Sequence, residues 1–518
     1  MSAEPKQGSA LGGLVKHSLI YSLVPILQRA LTILLVPLFT KQLNPAQWGA
    51  SELLDLVIVA ATQAAGMNLL AGMTRFYFDY QKEADRRSVI SSAIVALAAF
   101  SWLVAGVGIY FRTEIADWLF GTGDVLLSAD NLPRCIAVAL ATIPLAMSSE
   151  AGFRYLQTEK RSQLYTTLRT IKSLVELVLK IVMVAVLDWG VVGMVAGVLV
   201  GELVTAVLLT GGILARIGPR VSWEKLKPML VYALPLIPVG LLQMGLHQVD
   251  RVMLRALAPA EIAMTWVGIF GLGYKVGFMV QQMGMGSFMQ AWQPSLFAVA
   301  DPEERRRLQV RVDGYALLFV GASSLVPILY AREVTRFLSG QDAYFEAYRV
   351  LPWIAAAYVF YGLYALSQVT LLAEKRTWPL FWLNSIALAL NIGLDWLWIP
   401  RWGYVGPAAA KVATFAVLAF LCVGVANAGR GVRTDWRRTI QVLGVVVVAT
   451  AAAVLYEERV TGTEFGWGVP QLLKAGVLSA MLAYLWFAVL TREERVGLGQ
   501  RLVRLPVVGG LFARSKPR

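Results

Sequence analysis

The stretch MGLHQVDRVMLRALAP, Met244 to Pro259, sets His247, Asp250, Arg251 and Arg255 inside an otherwise apolar run. His247 and Asp250 stand three apart, on one face of a helix, a spacing that lets an imidazole and a carboxylate share a proton, or simply form a satisfied polar cluster. Asp250, Asn391 and Asp395 are further polar groups in apolar surroundings, the last two sharing a helical face four apart. Six basic residues fall within predicted spans: Arg29, Lys180, Arg251, Lys275, Lys411 and Lys474. Each would cost roughly 2.5–3.5 kcal/mol facing lipid, so each is expected to meet water in a cavity or an acid. Lys180 lies four residues after Glu176 and is expected to pair with it. Lys474 and Arg255 are expected to snorkel to the outer surface. Arg29 has no acid three or four residues away and is expected to line a cavity. Lys275 lies in GIFGLGYKVGFMVQQMGMG, whose glycines permit bending and close packing.

The elements that hold these groups follow from composition. The 518 residues are 57% hydrophobic and 15% charged, with a mean hydropathy of +0.61. That is the composition of an all-α membrane protein with many spans. Fourteen candidate transmembrane helices begin between Leu14 and Val469. The first apolar run extends to about Phe39, beyond the length of a signal-peptide core, and is expected to be retained. Lys and Arg divide 32 to nine between alternate loops, which predicts both termini in the cytoplasm. The same bias accounts for most of the +14 net charge without a nucleic-acid partner. The basic tail after Thr491 is expected to lie against an anionic leaflet. Cys135 and Cys422 form neither a disulfide framework nor a metal-ligand spacing. No GxxxxGK[ST] loop occurs, so no nucleotide drives transport and no cofactor or metal is expected.

Three short matches recur at a nearly constant offset. Asn44-Pro45-Ala46 returns as Ala258-Pro259-Ala260, Glu159-Lys160-Arg161 as Glu374-Lys375-Arg376, and WGVVG from Trp189 as WGYVG from Trp402, at offsets of 214, 215 and 213. An offset spanning six helices predicts two parallel-repeat six-helix bundles, residues 1–217 and 218–430. Two appended helices at 431–490 and a cytoplasmic tail at 491–518 complete the expected division. Two bundles around a midplane site are the architecture of alternating access, in which one lobe rocks against the other. Asp250 and Arg251 map onto Val36 and Pro37 in the first repeat, so their charges serve the second bundle alone. Arg251 is expected to pair across the cleft when the outer side is shut. Trp396, Trp398 and Trp402 fit an interfacial belt.

The stretch YSLVPILQRALTILLVPLFTKQLNPAQWG, with its mid-helix Arg29, and Asp250-Arg251 followed by Met253-Leu254 together resemble Wzx-type polysaccharide flippases. These form the polysaccharide branch of the multidrug/oligosaccharidyl-lipid/polysaccharide exporter superfamily. Two positions depart from the family pattern: Asn44 stands where Ser or Thr is usual, and Arg255 where Gly is common. The resemblance implies translocation of undecaprenyl-pyrophosphate-linked oligosaccharide across the bacterial inner membrane, for O-antigen, capsule or exopolysaccharide assembly. It implies a monomer working beside a polysaccharide polymerase and chain-length regulator. The pyrophosphate's two or so negative charges would need fixed cations, for which Arg29, Lys275, Arg251 and Lys411 are the candidates. Trp266, Tyr274 and Trp292 could stack on sugar rings. Related superfamily members build a cation site on helices seven, eleven and twelve, which here assigns ion coupling to Asp250, His247, Asn391 and Asp395. Lys411 could take the ion's place, and an Asp395–Lys411 pair that titrates fits proton coupling, with a static salt bridge the rival. A multidrug or cation antiporter of the same superfamily is the alternative, and its cavity should hold more acid than base. A membrane enzyme is disfavoured by short outer loops and the lack of a DxD motif.

Overall fold

The computed structural model describes residues 33–66, 68–121, 132–159, 161–234, 236–286, 376, 378–428, 434–459 and 469–495, and most of 288–374. All secondary structure among the described residues is helical. Nine described helices are long and apolar enough to cross a membrane, or eleven when two bent pairs each count as one crossing. One of the nine is a 50-residue run, Trp378–Asn427, that folds as two helices packed on each other. The first expected span is described only from its last turns, α1 (Val36–Gln42). The fifth is a helix of ordinary length, α7 (Ser162–Ile181), made less apolar by Arg169, Lys172, Glu176 and Lys180.

Helix α2 (Pro45–Ala64) shows how local chemistry sets an element. The Asn44 side chain accepts from the Gln47 amide at 2.8 Å, and the Gln47 side chain accepts from the Asn44 amide at 3.0 Å. This reciprocal cap satisfies two amides that the first turn leaves free, and Pro45 needs no partner at the first position. Asn44 therefore performs the capping that a Ser or Thr would.

The N-terminal helices are α3 (Leu69–Tyr77), α4 (Glu83–Tyr110), α5 (Arg112–Phe120), α6 (Leu132–Thr158), α7 and α8 (Gly190–Thr205). Helix α8 continues through a π-helical turn, Ala206–Gly211, to Ile217. Helix α4 packs on α6, α6 on α8, and α8 on α7. A second set follows: α9 (Trp223–Ala233), α10 (Leu236–Leu257), α11 (Ala260–Val280), α12 (Pro302–Leu329), α13 (Ala331–Leu338), α14 (Leu351–Ala373), α15 (Trp378–Trp402) and α16 (Gly406–Asn427). Here α14 packs on α16 and α12, and α15 on α16 and α10. Helix α14 is 83% buried over its apolar window, while α18 (Val469–Tyr484), after α17 (Trp436–Arg459), is 11% buried within its span. The first is a hub and the second faces lipid.

The repeated WGxVG turns share an unusual backbone. Gly190 and Gly403 both sit in the left-handed region, at φ +53° and +59°. Only glycine adopts that conformation without strain, so the recurring glycine has a structural cause in both places.

The two sets meet where α2 packs on α11 and α10. Gly49 of α2 and Gly268 of α11 let the backbones touch: a Cβ on Gly268 would collide with the Pro45 carbonyl, and one on Gly49 with that of Met264. At the same end, the Tyr344 hydroxyl donates to the Leu43 carbonyl at 2.9 Å and the Gly340 amide to Thr40 Oγ1 at 2.7 Å. The Arg255 guanidinium donates to the Phe120 carbonyl, so this arginine ties the sets together instead of snorkelling. That end of the seam is shut.

Candidate functional site

Three charged clusters lie within the apolar helices. The first bridges the two sets. Glu52, buried on α2, accepts from Arg251 Nε of α10 at 3.0 Å through Oε2, and from Lys275 Nζ of α11 at 3.0 Å through Oε1. Arg251 stacks 4.5 Å over the Tyr274 ring, and Lys275 sits 4.6 Å over Trp48. The side chain of Arg251 is 4% exposed and that of Lys275 32%, so the lysine is the end a solute can reach. Asp55, one turn along α2, is exposed and within electrostatic reach of Lys275 and of Lys180 from α7. Glu52 is thus the one carboxylate, among the described residues, in direct contact with both cations, with Asp55 close by.

The second cluster is sealed within the C-terminal helices. Lys411 Nζ pairs with Asp250 Oδ2 at 2.7 Å and donates to Asn391 Oδ1 at 2.7 Å and the Leu246 carbonyl at 2.6 Å. The Asn391 amide donates in turn to Asp250 Oδ1 at 3.1 Å and Asp395 Oδ2 at 3.0 Å. The ammonium thus pairs with Asp250, not Asp395, because Asn391 stands between Lys411 and Asp395 as a donor–acceptor bridge. Asp250 and Asp395 are thus joined through one amide nitrogen. Two carboxylates and one ammonium, all 0% exposed, carry an odd charge that one proton balances. Three oxygens already surround the ammonium, so it fills the place of a coordinated cation.

His247 belongs to neither cluster. Its ring stacks on Tyr358 and meets Phe278, Tyr361 and Phe415, and Nδ1 bonds the Tyr358 hydroxyl at 3.1 Å. No hydrogen bond joins His247 to Asp250 among the described residues; the expected i,i+3 exchange gives way to the tyrosines, which offer the imidazole a nearer partner. The His247 carbonyl accepts from Arg251 Nη1 at 3.2 Å.

The third cluster lies among the N-terminal helices. Lys172 reaches Glu202 of α8 at 2.7 Å and Glu176 at 3.5 Å, and Arg169 pairs with Glu150 of α6 at 2.5 Å. Lys180, expected to pair with Glu176, forms no ion pair among the described residues. Glu176 has a lysine on either side at four residues, and Glu202 on the next helix draws in Lys172. Lys474 does not snorkel: Glu333 of α13 holds it at 2.7 and 2.9 Å.

The expected stacking rings are occupied by protein. Tyr274 is buried under Arg251 with its hydroxyl against that of Tyr358, and Trp292 is buried beside Phe288. Trp266 lies against Tyr404 and Gly403. None presents a free face in this state. Arg29 lies outside the described residues. Glu52, the hub of the junction, is one of the embedded carboxylates that the sequence offers for ion coupling, with Asp55, Glu150, Glu202, Asp250 and Asp395; its pairing with Arg251 and Lys275 is what the sequence does not show.

Among described residues, no group of His, Cys, Asp and Glu is arranged to hold a metal ion. A family model described as polysaccharide biosynthesis protein matches residues 43–344. No curated protein matches the chain by sequence. Several solved structures share the fold. The lipid II flippase MurJ in an inward closed conformation superposes with a TM-score of 0.69 at 14% identity, over 91% of this chain and 99% of that one. An inward-facing multidrug resistance MATE family transporter of the MOP superfamily gives 0.64 at 15%, over 79% and 97%. The Vibrio cholerae MATE transporter VcmN gives 0.55 at 14%, over 82% and 99%. At such identities the likeness establishes the fold, an all-helical multi-pass membrane fold whose other holders here are transporters and flippases, not enzymes.

Proposed function

The chain belongs to the polysaccharide biosynthesis protein family, and from that premise we propose that it is a flippase. It carries undecaprenyl-pyrophosphate-linked oligosaccharide across the bacterial inner membrane by alternating access of two lobes, residues 1–217 and 218–430, with both termini cytoplasmic. It acts as a monomer, and its product feeds a polysaccharide polymerase and chain-length regulator. The observation that carries this reading is the junction where Glu52 holds both Arg251 and Lys275 across the seam. An anionic headgroup entering the cavity competes with Glu52 for those cations, Lys275 first because it is the more exposed. Loss of the cross-lobe bonds then frees α2 from α10 and α11, and cargo binding is converted into opening. Interactions of this kind are strong because charge-assisted bonds gain in a low-dielectric site.

The sealed cluster of Asp250, Asn391, Asp395 and Lys411 supplies the coupling. A proton entering or leaving the Asp250–Asp395 pair changes the charge that holds Lys411, so α10, α15 and α16 are loosened or locked together. A resident ammonium in place of a metal ion favours protons over sodium.

The test is translocation in proteoliposomes with a fluorescent lipid-linked oligosaccharide. Lys275→Ala and Arg29→Ala are expected to reduce flipping at least tenfold while the protein still inserts, and an imposed pH gradient is expected to accelerate the native chain. Undiminished flipping in both variants would overturn the cationic cavity, and efflux of a cationic drug instead would favour the antiporter.

A further inference from the structure

A cavity of about 630 Å³ lies at the opposite end of the N-terminal helices from the closed seam. It is formed by the start of α4, the end of α6, the start of α7 and the continuation of α8. Its volume falls in the range of about 300–1,000 Å³ typical of ligand sites. Four arginines and two glutamates line it, and their pairings are unequal. Arg87 is paired with Glu83. Glu159 accepts from the Tyr77 hydroxyl, and Arg86 donates to the Tyr80 carbonyl at 2.7 Å. Arg161 and Arg216 form no ion pair among the described residues. Two guanidiniums therefore line the space without an ion pair, and the four arginines outnumber the two glutamates there.

The remaining wall is apolar and turned outward. Leu208 is 73% exposed and Leu164 43%, and Leu208 and Leu209 come from the π-helical turn of α8. Such turns are rare, distort the helix surface locally and recur at functional sites. A site with unpaired guanidiniums inside and a leucine-lined opening toward the membrane matches an amphiphile, with its anionic head among arginines and its chain along the leucines. A free anion would have no use for the apolar side.

We propose that this cavity binds the phosphate headgroup of a lipid from the adjacent leaflet, with Arg161 and Arg216 as its principal contacts. The site is separate from the junction at Glu52 and does not depend on the cargo carried there.

Native mass spectrometry of the full-length protein, released from detergent micelles with phosphatidylglycerol, tests this. The native chain is expected to retain the lipid. Arg161→Gln/Arg216→Gln is expected to lower retention about tenfold, in keeping with the loss of charge-assisted bonds. A control of equal charge change, Lys82→Gln/Lys227→Gln, alters exposed lysines outside the cavity and is expected to retain lipid as the native chain does. Equal losses in both double variants would overturn the site, because basic residues near any membrane attract anionic lipid diffusely. Full displacement of the lipid by millimolar inorganic phosphate would overturn the lipid assignment. Unchanged retention in the cavity variant would overturn both.

Discussion

The N-terminal and C-terminal sets of helices each hold two carboxylates around one ammonium, yet they treat the trio differently. In the first lobe, Lys172, Glu176 and Glu202 keep side-chain exposures of 9%, 21% and 9%, and the neighbouring Glu150–Arg169 pair about a quarter each. In the second, Asp250, Asp395 and Lys411 have none. An offset of 215 places Glu176 and Lys180 at Asn391 and Asp395. The two helices thus keep polar groups on corresponding faces but change their charge. The first, more open trio keeps an edge in contact with water. The sealed one meets water only when the helices around it part, which is what coupling between ion and conformation requires.

The sharpest way to break this contrast is to remove the sealed ammonium. Lys411→Ala leaves Asp250 and Asp395 buried with no cation, and taking one partner from a buried pair costs about 3–5 kcal/mol. Thermal unfolding in detergent is expected to shift strongly downward. Asp250→Asn in the same chain should recover most of the loss, because it removes the orphaned charge. If the double variant were as unstable as the single, the pair would not be the reason for burial. The equivalent change in the more open trio, Lys172→Ala, is expected to cost less, about 1–2 kcal/mol, since Glu176 keeps 21% of its side chain exposed to water. Equal losses in the two lobes would erase the distinction.

Much of this arrangement was legible in the sequence, and the remainder was not for a common reason. Embedded charge, helix periodicity and the recurring WGxVG turn are local properties. They pointed to a many-span helical chain, to Arg251 as a residue that pairs with another helix set and to Asn391 with Asp395 on one face. Partner choice is a tertiary property. Glu52 meets Arg251 and Lys275 across 199 and 223 residues, a separation no periodicity records. Lys172 and Lys180 both stand four residues from Glu176, and helix geometry favours Lys180, but Glu202 on α8 draws in Lys172. The aromatic box around His247 is assembled from α11, α14 and α16, and its rings look in sequence like ordinary apolar residues.

The junction between the lobes offers a third and subtler test, because it should change conformation more than stability. Glu52→Gln keeps the size of the side chain and one carbonyl acceptor but removes the charge that holds Arg251 and Lys275. Arg251 would still stack on Tyr274 and donate to the His247 carbonyl, and Lys275 would still lie on Trp48. The expected loss of stability is therefore about 1–2 kcal/mol, below the full cost of an orphaned buried ion. The closed seam should nevertheless weaken, since two of its cross-lobe bonds lose their ionic component. Ser339→Cys, between the Leu338 carbonyl and Gly340 amide that bond Thr40 across the seam, reports that change through its alkylation rate by a membrane-impermeant maleimide. Labelling is expected to rise severalfold in Glu52→Gln and to stay at its native rate in Glu202→Gln, which alters the open trio alone. An identical rise in both would mean that the seam senses charge anywhere in the bundle, and that Glu52 is not its latch.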